Sequence, residues 1–362
     1  MHCLDRAFQE MFDITTEIDY SLLEGMNFTC LEGCGFCCTF PAEVRECEPG
    51  FNAILEIDRN GLKKWDTDDP YFRNVHTMKQ HKDRGACIFL REDRRCGIYS
   101  VRSLLCRIFP IKIFFGHRVQ LYTSQVCRGF SHDRKSGGLR STGEGIMEQL
   151  PVQMKEEMIL EARKMYDSLP GKLADYIPPD ILQAELLERA SKIDISNAMI
   201  SEKNRDDFTS RLSSEEFIDL PTYLTEDMQW LVFRLTGGLL ERVRLERTGE
   251  IETIDSLEYA CLSLKPLSVG AVNALKEYLE LIVQRDHFAG VAYLRALEQE
   301  RKVLLIDLAT AYLNDIAASL LLRANMLAAF EGYDIIDTDM IRETMILSDG
   351  YLATEPSYGL IL

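Results

Sequence analysis

The sequence predicts a mainly α protein with two domains: a small, irregular α+β domain rich in cysteine over residues 1–135, and an all-α helical bundle over residues 146–362. Three observations carry this prediction. Of the 11 cysteines, all but Cys261 lie before residue 128. Apolar residues recur at helical spacing beyond residue 150. Between the two regions, Ser131 to Gly145 is rich in glycine and serine, a composition typical of linkers.

The cysteine-rich region begins with an apolar pattern at helical spacing, from Leu4 to Leu22. This pattern predicts a helix over roughly residues 3–23. Residues 39–86 show no regular pattern and are expected to be irregular. Short strands are predicted at Cys87–Leu90 and Cys96–Tyr99.

A helical turn and a hairpin are predicted next. The turn carries Cys106 and ends at Pro110, because proline stops a helix. Two runs with strand composition, Ile111–Phe115 and Arg118–Tyr122, flank Gly116-His117, which predicts a hairpin.

Beyond the linker the pattern predicts helices only. Residues 272–331 predict two or three long helices ending at Gly332, and Thr338-Asp339 predicts the cap of a last helix reaching about Leu347. Two further helical faces are marked by apolar spacing: Met154, Met158, Ile159, Ala162 and Met165, then Met228, Leu231, Val232, Leu235, Leu239 and Val243.

The formal net charge of −17 is unevenly distributed. Residues 79–140 are strongly basic, and residues 141–362 carry all of the excess negative charge. Either the two regions dock on each other, or the basic segment lies beside an anionic partner or an anionic metal centre. The overall acidity argues against non-specific nucleic-acid binding.

Neither a secretory signal nor a membrane span is expected. Charged residues occupy the N-terminal segment where a signal peptide would be apolar. The apolar stretch from Val303 to Phe330 is interrupted by Asp307, Asp315 and Arg323. We therefore expect a cytoplasmic protein whose reduced thiols serve metal or redox chemistry rather than disulfides.

The cysteine pattern indicates metal binding, because thiolates are soft ligands that suit zinc, iron and iron–sulfur clusters. The spacing C-x3-C-x2-C brings three sulfurs together at little entropic cost of loop closure. Adjacent side chains diverge, so Cys37 and Cys38 are expected to serve different metals or roles. The candidate metal ligands are Cys30, Cys34, Cys37, Cys38, Cys87, Cys96, Cys106 and Cys127.

The remaining cysteines, Cys3, Cys47 and Cys261, are isolated and are not expected to be ligands. A site with four thiolates keeps a net charge of roughly −2, by counting ligands at divalent zinc or a typical four-iron cluster. Arg107 and Arg128 directly follow candidate ligands and are expected to offset that charge. The histidines His76, His81, His117 and His132 are expected to lie at the surface.

Two known cysteine patterns compete. C-x3-C-x-Phe36-C resembles the radical S-adenosylmethionine signature, but no succession of βα units follows it. The cysteines with their flanking blocks resemble the CxxxCxxCC (YkgJ-like) cysteine-cluster family much more closely. The resemblance covers roughly residues 28–130 and is carried by Cys30-x3-Cys34-x2-Cys37-Cys38, Gly85-Ala-Cys87-Ile-Phe-Leu90, Cys96-Gly-Ile-Tyr99-Ser-Val-Arg102 and Cys106-Arg107-Ile-Phe-Pro110.

The name of this family assigns it zinc or iron chelation. The resemblance implies a metal-binding role for the candidate cysteines up to Cys106, while Cys127 fits a later family cysteine less closely. Ser103 stands where the family often has proline, a departure that removes no ligand.

The sequence favours an iron–sulfur cluster (4Fe-4S) over zinc, because eight thiols beside a basic segment suit redox chemistry or cluster handling. The expected role is electron transfer or metal-dependent maturation of a protein partner that docks on the acidic helical region. One alternative is a structural zinc-binding interaction module.

Another alternative is a methyltransferase, because a subset with this cysteine pattern resembles flagellin lysine N-methylases. The only glycine-rich candidate for its cofactor, Gly137 to Gly145, lies in the predicted linker without a preceding strand. Whether the protein is an enzyme stays open.

Overall fold

A computed structural model describes residues 18–40, 42–46, 48–65, 74–82, 85–127, 129–131, 138–213, 223–224, 229–299, 303–353 and 355–362. These residues are mainly helical, as predicted. The helices are α1 (Pro49–Ile57), α2 (Leu104–Ile108), α3 (Gly138–Gln149), α4 (Val152–Lys172), α5 (Pro179–Ser191), α6 (Glu202–Ser213), α7 (Val269–Val283), α8 (Asp286–Glu298), α9 (Leu305–Glu331) and α10 (Thr338–Leu352).

Short strands accompany the helices. They are β1 (Ile18–Asp19), β2 (Asn27–Phe28), β3 (Glu43–Arg45), β4 (Leu62–Lys64), β5 (Val75–Met78), β6 (Ile111–Phe115), β7 (Val119–Thr123), β8 (Phe130–Ser131), β9 (Tyr223–Leu224), β10 (Trp230–Thr236), β11 (Leu239–Leu245), β12 (Ile251–Glu258) and β13 (Leu360–Ile361).

The first sheet has the strand order β1-β7-β6-β13. The antiparallel pairing of β6 with β7 confirms the predicted hairpin, and β1 runs parallel to β7. Strand β13 pairs antiparallel with β6, so residues near position 360 complete a sheet of the cysteine-rich region. Apolar residues of α3 and α4, such as Ile146 and Met158, pack in one cluster with Ile113 and Leu121 of the hairpin.

A second sheet, β3-β5-β4, lies within residues 39–86, so the prediction that this segment is irregular was wrong. Helix α1 packs with it through Ile54, which shares a cluster with Val44 and Met78. Partly buried Cys87 and Cys96 pack against the same cluster.

Strands β9 to β12 form an antiparallel meander that replaces one predicted helix. The predicted helical face from Met228 to Val243 was wrong: Leu231, Val232 and Leu235 lie on β10, Leu239 and Val243 lie on β11, and Met228 lies outside the described residues. Gly237 and Gly238 join the two strands at φ values of 59° and 85°, a left-handed conformation that favours glycine.

The largest hydrophobic cluster lies among α5 and α7 to α10. The predicted long helices over 272–331 are confirmed, and α9 ends at Gly332 with a φ of 71°. The cap of α10 is Asp337, one residue before the predicted Thr338-Asp339, because the Asp337 carboxylate accepts the N–H groups of Asp339 and Met340. Among the described helices, α9 alone is long and apolar enough to span a membrane, and 61% of its most apolar window is buried inside the protein, as in a core helix.

Three local predictions fail. Residues 138–145 belong to α3 rather than to a linker, and residues 132–137 lie outside the described part. Residues 1–17 of the predicted first helix also lie outside it, and Ser21–Leu23 form a 3-10 turn. The predicted strands at Cys87 and Cys96 are single bridges, Gln80 to Cys87 and Leu90 to Cys96.

Candidate metal centre

The four clustered cysteines lie on a tight loop. Gly33 and Gly35 adopt φ values of 73° and 61°, and a 3-10 turn over Phe36–Thr39 follows them. The N–H of Cys38 donates to the Gly35 carbonyl over 3.0 Å. Phe36 is buried and packs edge-on against Phe40 at 5.4 Å between ring centroids, which anchors the turn that carries Cys37 and Cys38.

A short strand pair brings Cys30 beside Cys127. Strand β2 pairs with β8, and the Thr29 N–H donates to the Gly129 carbonyl over 2.8 Å. A Cβ at Gly129 would lie 2.2 Å from the Thr29 carbonyl oxygen, so only glycine permits this approach. The two cysteines therefore lie at adjoining ends of paired segments although they are far apart in sequence.

Cys87 is attached directly to the turn that carries Cys38. Its N–H donates to the Cys38 carbonyl over 2.7 Å, and its own carbonyl accepts from Leu90 N–H over 2.9 Å. Leu90 forms a bridge to Cys96, which places Cys87 and Cys96 at the two ends of one compact turn.

Cys106 lies in the first turn of α2. Ser103 caps this helix, since its side-chain oxygen accepts the Cys106 N–H over 3.4 Å. The buried Glu48 carboxylate accepts the Leu104 N–H over 2.6 Å. The serine that departs from the family pattern thus serves as the helix cap beside a candidate ligand.

The electrostatic coupling between the thiols shows that they share one neighbourhood. The Cys37 sulfur shifts the pKa of Cys30, Cys38, Cys87, Cys96, Cys106 and Cys127. The Cys34 thiol raises the pKa of Cys127 in the same way. The structure thus places Cys37 near six other candidate cysteines from four segments of the chain, and Cys34 near Cys127.

The isolated cysteines give no further ligand. Cys261 is exposed, and its thiol contacts Glu258 at 3.4 Å. Cys3 and Cys47 lie outside the described residues. Among the eight candidates, Cys30 and Cys37 are exposed and the other six are half-buried, so one side of the group faces solvent.

The thiols converge without forming a closed coordination shell. In the described part of the chain, no three Cys, His, Asp or Glu side chains are already arranged to hold a metal ion. The donor chemistry fits a thiophilic metal, because every candidate side chain is a thiol. Which of the eight would coordinate a metal stays a prediction.

Burial keeps most of these thiols protonated. It raises the pKa of Cys87 to about 11 and those of Cys106 and Cys127 to about 12. The hydrogen bond between Cys37 and Cys38 lowers the pKa of Cys37 and raises that of Cys38. A metal would therefore have to displace protons from the buried thiols when it binds.

Three of the sulfurs accept backbone N–H groups from two residues downstream. Gly129 N–H donates to the Cys127 sulfur over 3.4 Å. Phe89 N–H bonds the Cys87 sulfur and Ile98 N–H bonds the Cys96 sulfur, which lowers the pKa of each thiol against the effect of burial. Such donors stabilise sulfur carrying negative charge, as in metal–thiolate and iron–sulfur sites.

The positive charge of Arg102 acts on several of these sulfurs. It lowers the pKa of the Cys30, Cys37 and Cys96 thiols. Its guanidinium lies 3.8 Å from the ring centroid of Tyr99 and donates to the Tyr99 carbonyl over 3.2 Å. The sequence analysis missed this role, although Arg102 ends one of the four blocks of the family pattern.

The predicted charge-compensating residues do not take this position in the described structure. Arg107 lines a surface groove between α2 and α3 together with Ser141 and Thr142, and Arg128 lies outside the described residues. His76 instead contacts Glu46 over 3.0 Å, and His132 is not among the described residues.

Two other histidines have partners outside the cysteine group. His81 contacts Arg247 over 3.3 Å. His117 lies between Asp180 and Asp286, at 3.5 and 3.6 Å from their carboxylates. Both rings are accounted for by charged neighbours of the C-terminal region.

Comparison with known families confirms the suspected resemblance. Residues 29–128 match the sequence model of the CxxCxxCC family, described as a "Putative zinc- or iron-chelating domain". All eight candidate cysteines lie inside the matched segment. The match supports metal binding and leaves the choice between zinc and iron open.

One relative is the uncharacterized protein MJ0661 of Methanocaldococcus jannaschii, which is 31% identical over 93 residues. The alignment covers 25% of this chain and 48% of that protein, so it spans about half of the relative. No solved structure matches the chain.

Proposed function

We propose, starting from the match of residues 29–128 to a zinc- or iron-chelating family, that the chain binds an iron–sulfur cluster through its converging cysteines. The observation that carries the proposal is that backbone hydrogen bonds join the cysteine-bearing segments, Thr29 to Gly129 beside Cys30 and Cys127, and Cys87 to Cys38. Four thiolates complete one cluster, so eight suffice for two centres, or for one centre with further thiols nearby.

Iron–sulfur chemistry is favoured over zinc by the surroundings of the sulfurs. Amide donors to Cys87, Cys96 and Cys127 and the cationic Arg102 are features that tune the reduction potential of a cluster. When bound, such a cluster supplies a one-electron redox centre. The exposed Cys30 and Cys37 would form its solvent-facing side.

The proposed role is electron transfer or metal-dependent maturation of a protein partner in the cytoplasm. A solvent-facing sulfur allows close approach of a partner, which both roles require. The acidic C-terminal region offers a charged surface for docking that partner.

The deciding experiment is anaerobic purification followed by metal analysis and visible absorption spectroscopy. We expect brown protein that contains iron and acid-labile sulfide. Colourless protein with stoichiometric zinc would instead support a structural zinc module and would overturn the redox role.

Ligand assignment is tested by Cys34→Ser, with Cys261→Ser as the matched control. Cys34→Ser is expected to lower metal content and to destabilise the cysteine-rich region, because a ligand is lost. Cys261 lies outside the group and is exposed, so Cys261→Ser should bind metal like the wild type. Equal metal content in both variants would show that Cys34 is not a ligand.

A further inference from the structure

A buried carboxylate links the C-terminal helices to the cysteine group. Asp349 on α10 is 0% exposed and accepts five hydrogen bonds. The donors are the Ser124 hydroxyl at 3.0 Å, Gln125 N–H at 2.5 Å and Tyr278 hydroxyl at 2.7 Å. The guanidinium of Arg285 supplies the other two, at 2.6 and 3.3 Å.

Two of these donors belong to the segment that leads to Cys127. Ser124 and Gln125 follow strand β7, and Val126 alone separates them from the cysteine. Ser124 N–H also donates to the Pro110 carbonyl over 2.9 Å. The segment is therefore held between the end of α2 on one side and the Asp349 carboxylate on the other.

Val126, the next residue, adds an apolar contact between α10 and the cysteine loop. A Cβ on Gly350, the residue after Asp349, would lie 3.2 Å from the Val126 side chain. Val126 shares a buried cluster with Phe36, and partly buried Cys34 and Cys38 pack against that cluster. Helix α10 thus contacts the back of the cysteine loop through both a polar and an apolar connection.

The other donors to Asp349 come from the helical region. Tyr278 lies on α7, and Arg285 directly precedes α8. Arg285 is 3% exposed, donates to the Thr123 carbonyl over 3.0 Å and lies 4.9 Å from the ring centroid of Tyr122. Three helices therefore fix the orientation of one carboxylate, and that carboxylate fixes the residues before Cys127.

We propose that Asp349 is a positioning residue of the metal centre, through which the helical region holds Cys127 in place for metal binding. This inference depends on the proposed function, since it takes Cys127 as a ligand. The helical region then forms an outer shell of the centre, a role that nothing in its sequence pattern indicates. Hydrogen bonds made directly to a ligand typically change metal affinity 10- to 100-fold, and Asp349 bonds the residues before the ligand, so an effect of about tenfold is expected.

Asp349→Asn is the direct test, because asparagine keeps the size of the side chain and loses the negative charge and one acceptor oxygen. The matched control is Asp286→Asn. Asp286 is also 0% exposed and ion-paired, to Arg118 at 2.9 Å, but it contacts no residue between Ser124 and Cys127. Both variants lose a buried ion pair, and only Asp349→Asn disturbs the segment before the cysteine.

The measurement is anaerobic titration of the full-length, metal-free protein with cobalt(II), followed by its thiolate charge-transfer absorption. Asp349→Asn is expected to weaken cobalt affinity about tenfold and to reduce the absorption per cobalt, since the Cys127 thiolate is no longer held in place. Asp286→Asn is expected to lose stability to urea while retaining wild-type affinity and absorption. A spectrum and affinity unchanged in Asp349→Asn would overturn the inference.

A milder variant decides the matter if Asp349→Asn does not fold. Ser124→Ala removes a single hydrogen bond to Asp349 and leaves its pairing with Arg285 intact. It should weaken cobalt affinity in the same direction, by a smaller factor, and an unchanged affinity would overturn the inference. Wild-type protein that binds neither cobalt, zinc nor iron would instead overturn the proposed function itself.

Discussion

The cysteine-rich and helical regions are stabilised in different ways. The helical region shares one large buried cluster that includes Leu279, Leu313 and Leu321. Residues 29–131 instead contribute to three smaller clusters: one around Phe36, one around Val44, and one in which Ile113 and Leu121 pack with α3 and α4. Small clusters bury too little apolar surface to define a fold by themselves. We therefore expect the first region to depend on metal binding by its thiols and on contacts from the second region, whereas the second depends on apolar packing.

Metal removal should produce the largest difference in stability between the two regions. Binding of a structural metal can supply on the order of 10 kcal/mol of folding free energy. We expect stripping with a chelator to raise amide hydrogen exchange around Cys37, Cys87 and Cys127, and to leave helices α7 to α9 protected. Exchange measured with and without metal checks this. An equal loss of exchange protection in both regions would contradict the prediction that only the cysteine-rich region depends on metal.

Leu321→Ala tests whether the helical region is stabilised by apolar packing and not by metal. Leu321 is 0% exposed in α9, so truncation should lower the free energy of unfolding by about 2–5 kcal/mol while metal content stays unchanged. Urea unfolding measures the loss. Leu160→Ala is the control, because Leu160 is 39% exposed and its truncation should cost within about 0.5 kcal/mol.

The pH dependence of stability should contain a contribution from the helical region at His287. Burial lowers the pKa of His287 from 6.5 to about 4. Because the unfolded chain then binds the proton more tightly, stability is full above about pH 6.5 and falls by about 3 kcal/mol as the pH decreases to 4.

His287→Gln removes this titration while keeping a side-chain N–H near the Glu355 carbonyl, which His287 contacts at 2.9 Å. The slope of unfolding free energy against pH between 4 and 6.5 should therefore be shallower in the variant. Identical slopes in urea titrations of the two proteins would contradict the role of His287.

The smallest predicted effect is that of a substitution in the turn between β10 and β11 of the meander. Gly238 has a φ of 85° in the turn between β10 and β11, so Gly238→Ala should cost about 1–2 kcal/mol although its Cβ would meet nothing within 4 Å. Gly145 lies inside α3 with equally open space, so Gly145→Ala should instead gain about 1 kcal/mol. Thermal unfolding measures both, and a gain at Gly238 would indicate that the segment is helical.

Local signals explain which elements could be predicted. The hairpin of β6 and β7 follows from strand-forming runs around Gly116-His117, and the end of α9 follows from Gly332. The meander was mistaken for a helix because β10 is buried over most of its length, and a continuous apolar run fits either element. The Gly237-Gly238 pair was the signal that favoured a hairpin there.

The site was predictable as a set of residues but not as an arrangement. Ligand type and family pattern named the eight candidate cysteines, and their role as ligands stays a prediction. The position of Arg102 depends on its stacking with Tyr99, and the role of Asp349 depends on contacts between segments far apart in sequence. No local pattern encodes the Asp349 contacts, because they arise only when the helical region packs against the loop before Cys127.

Strand β13 has a consequence for biosynthesis. A ribosome releases the cysteine-bearing segments long before residues 360–361, which pair with β6 and complete the first sheet. Helix α10, which carries Asp349, is also translated late. During synthesis the thiols are therefore present before the strand and the carboxylate that pack near them, so under the proposed function we expect metal loading after translation of these elements rather than during chain elongation.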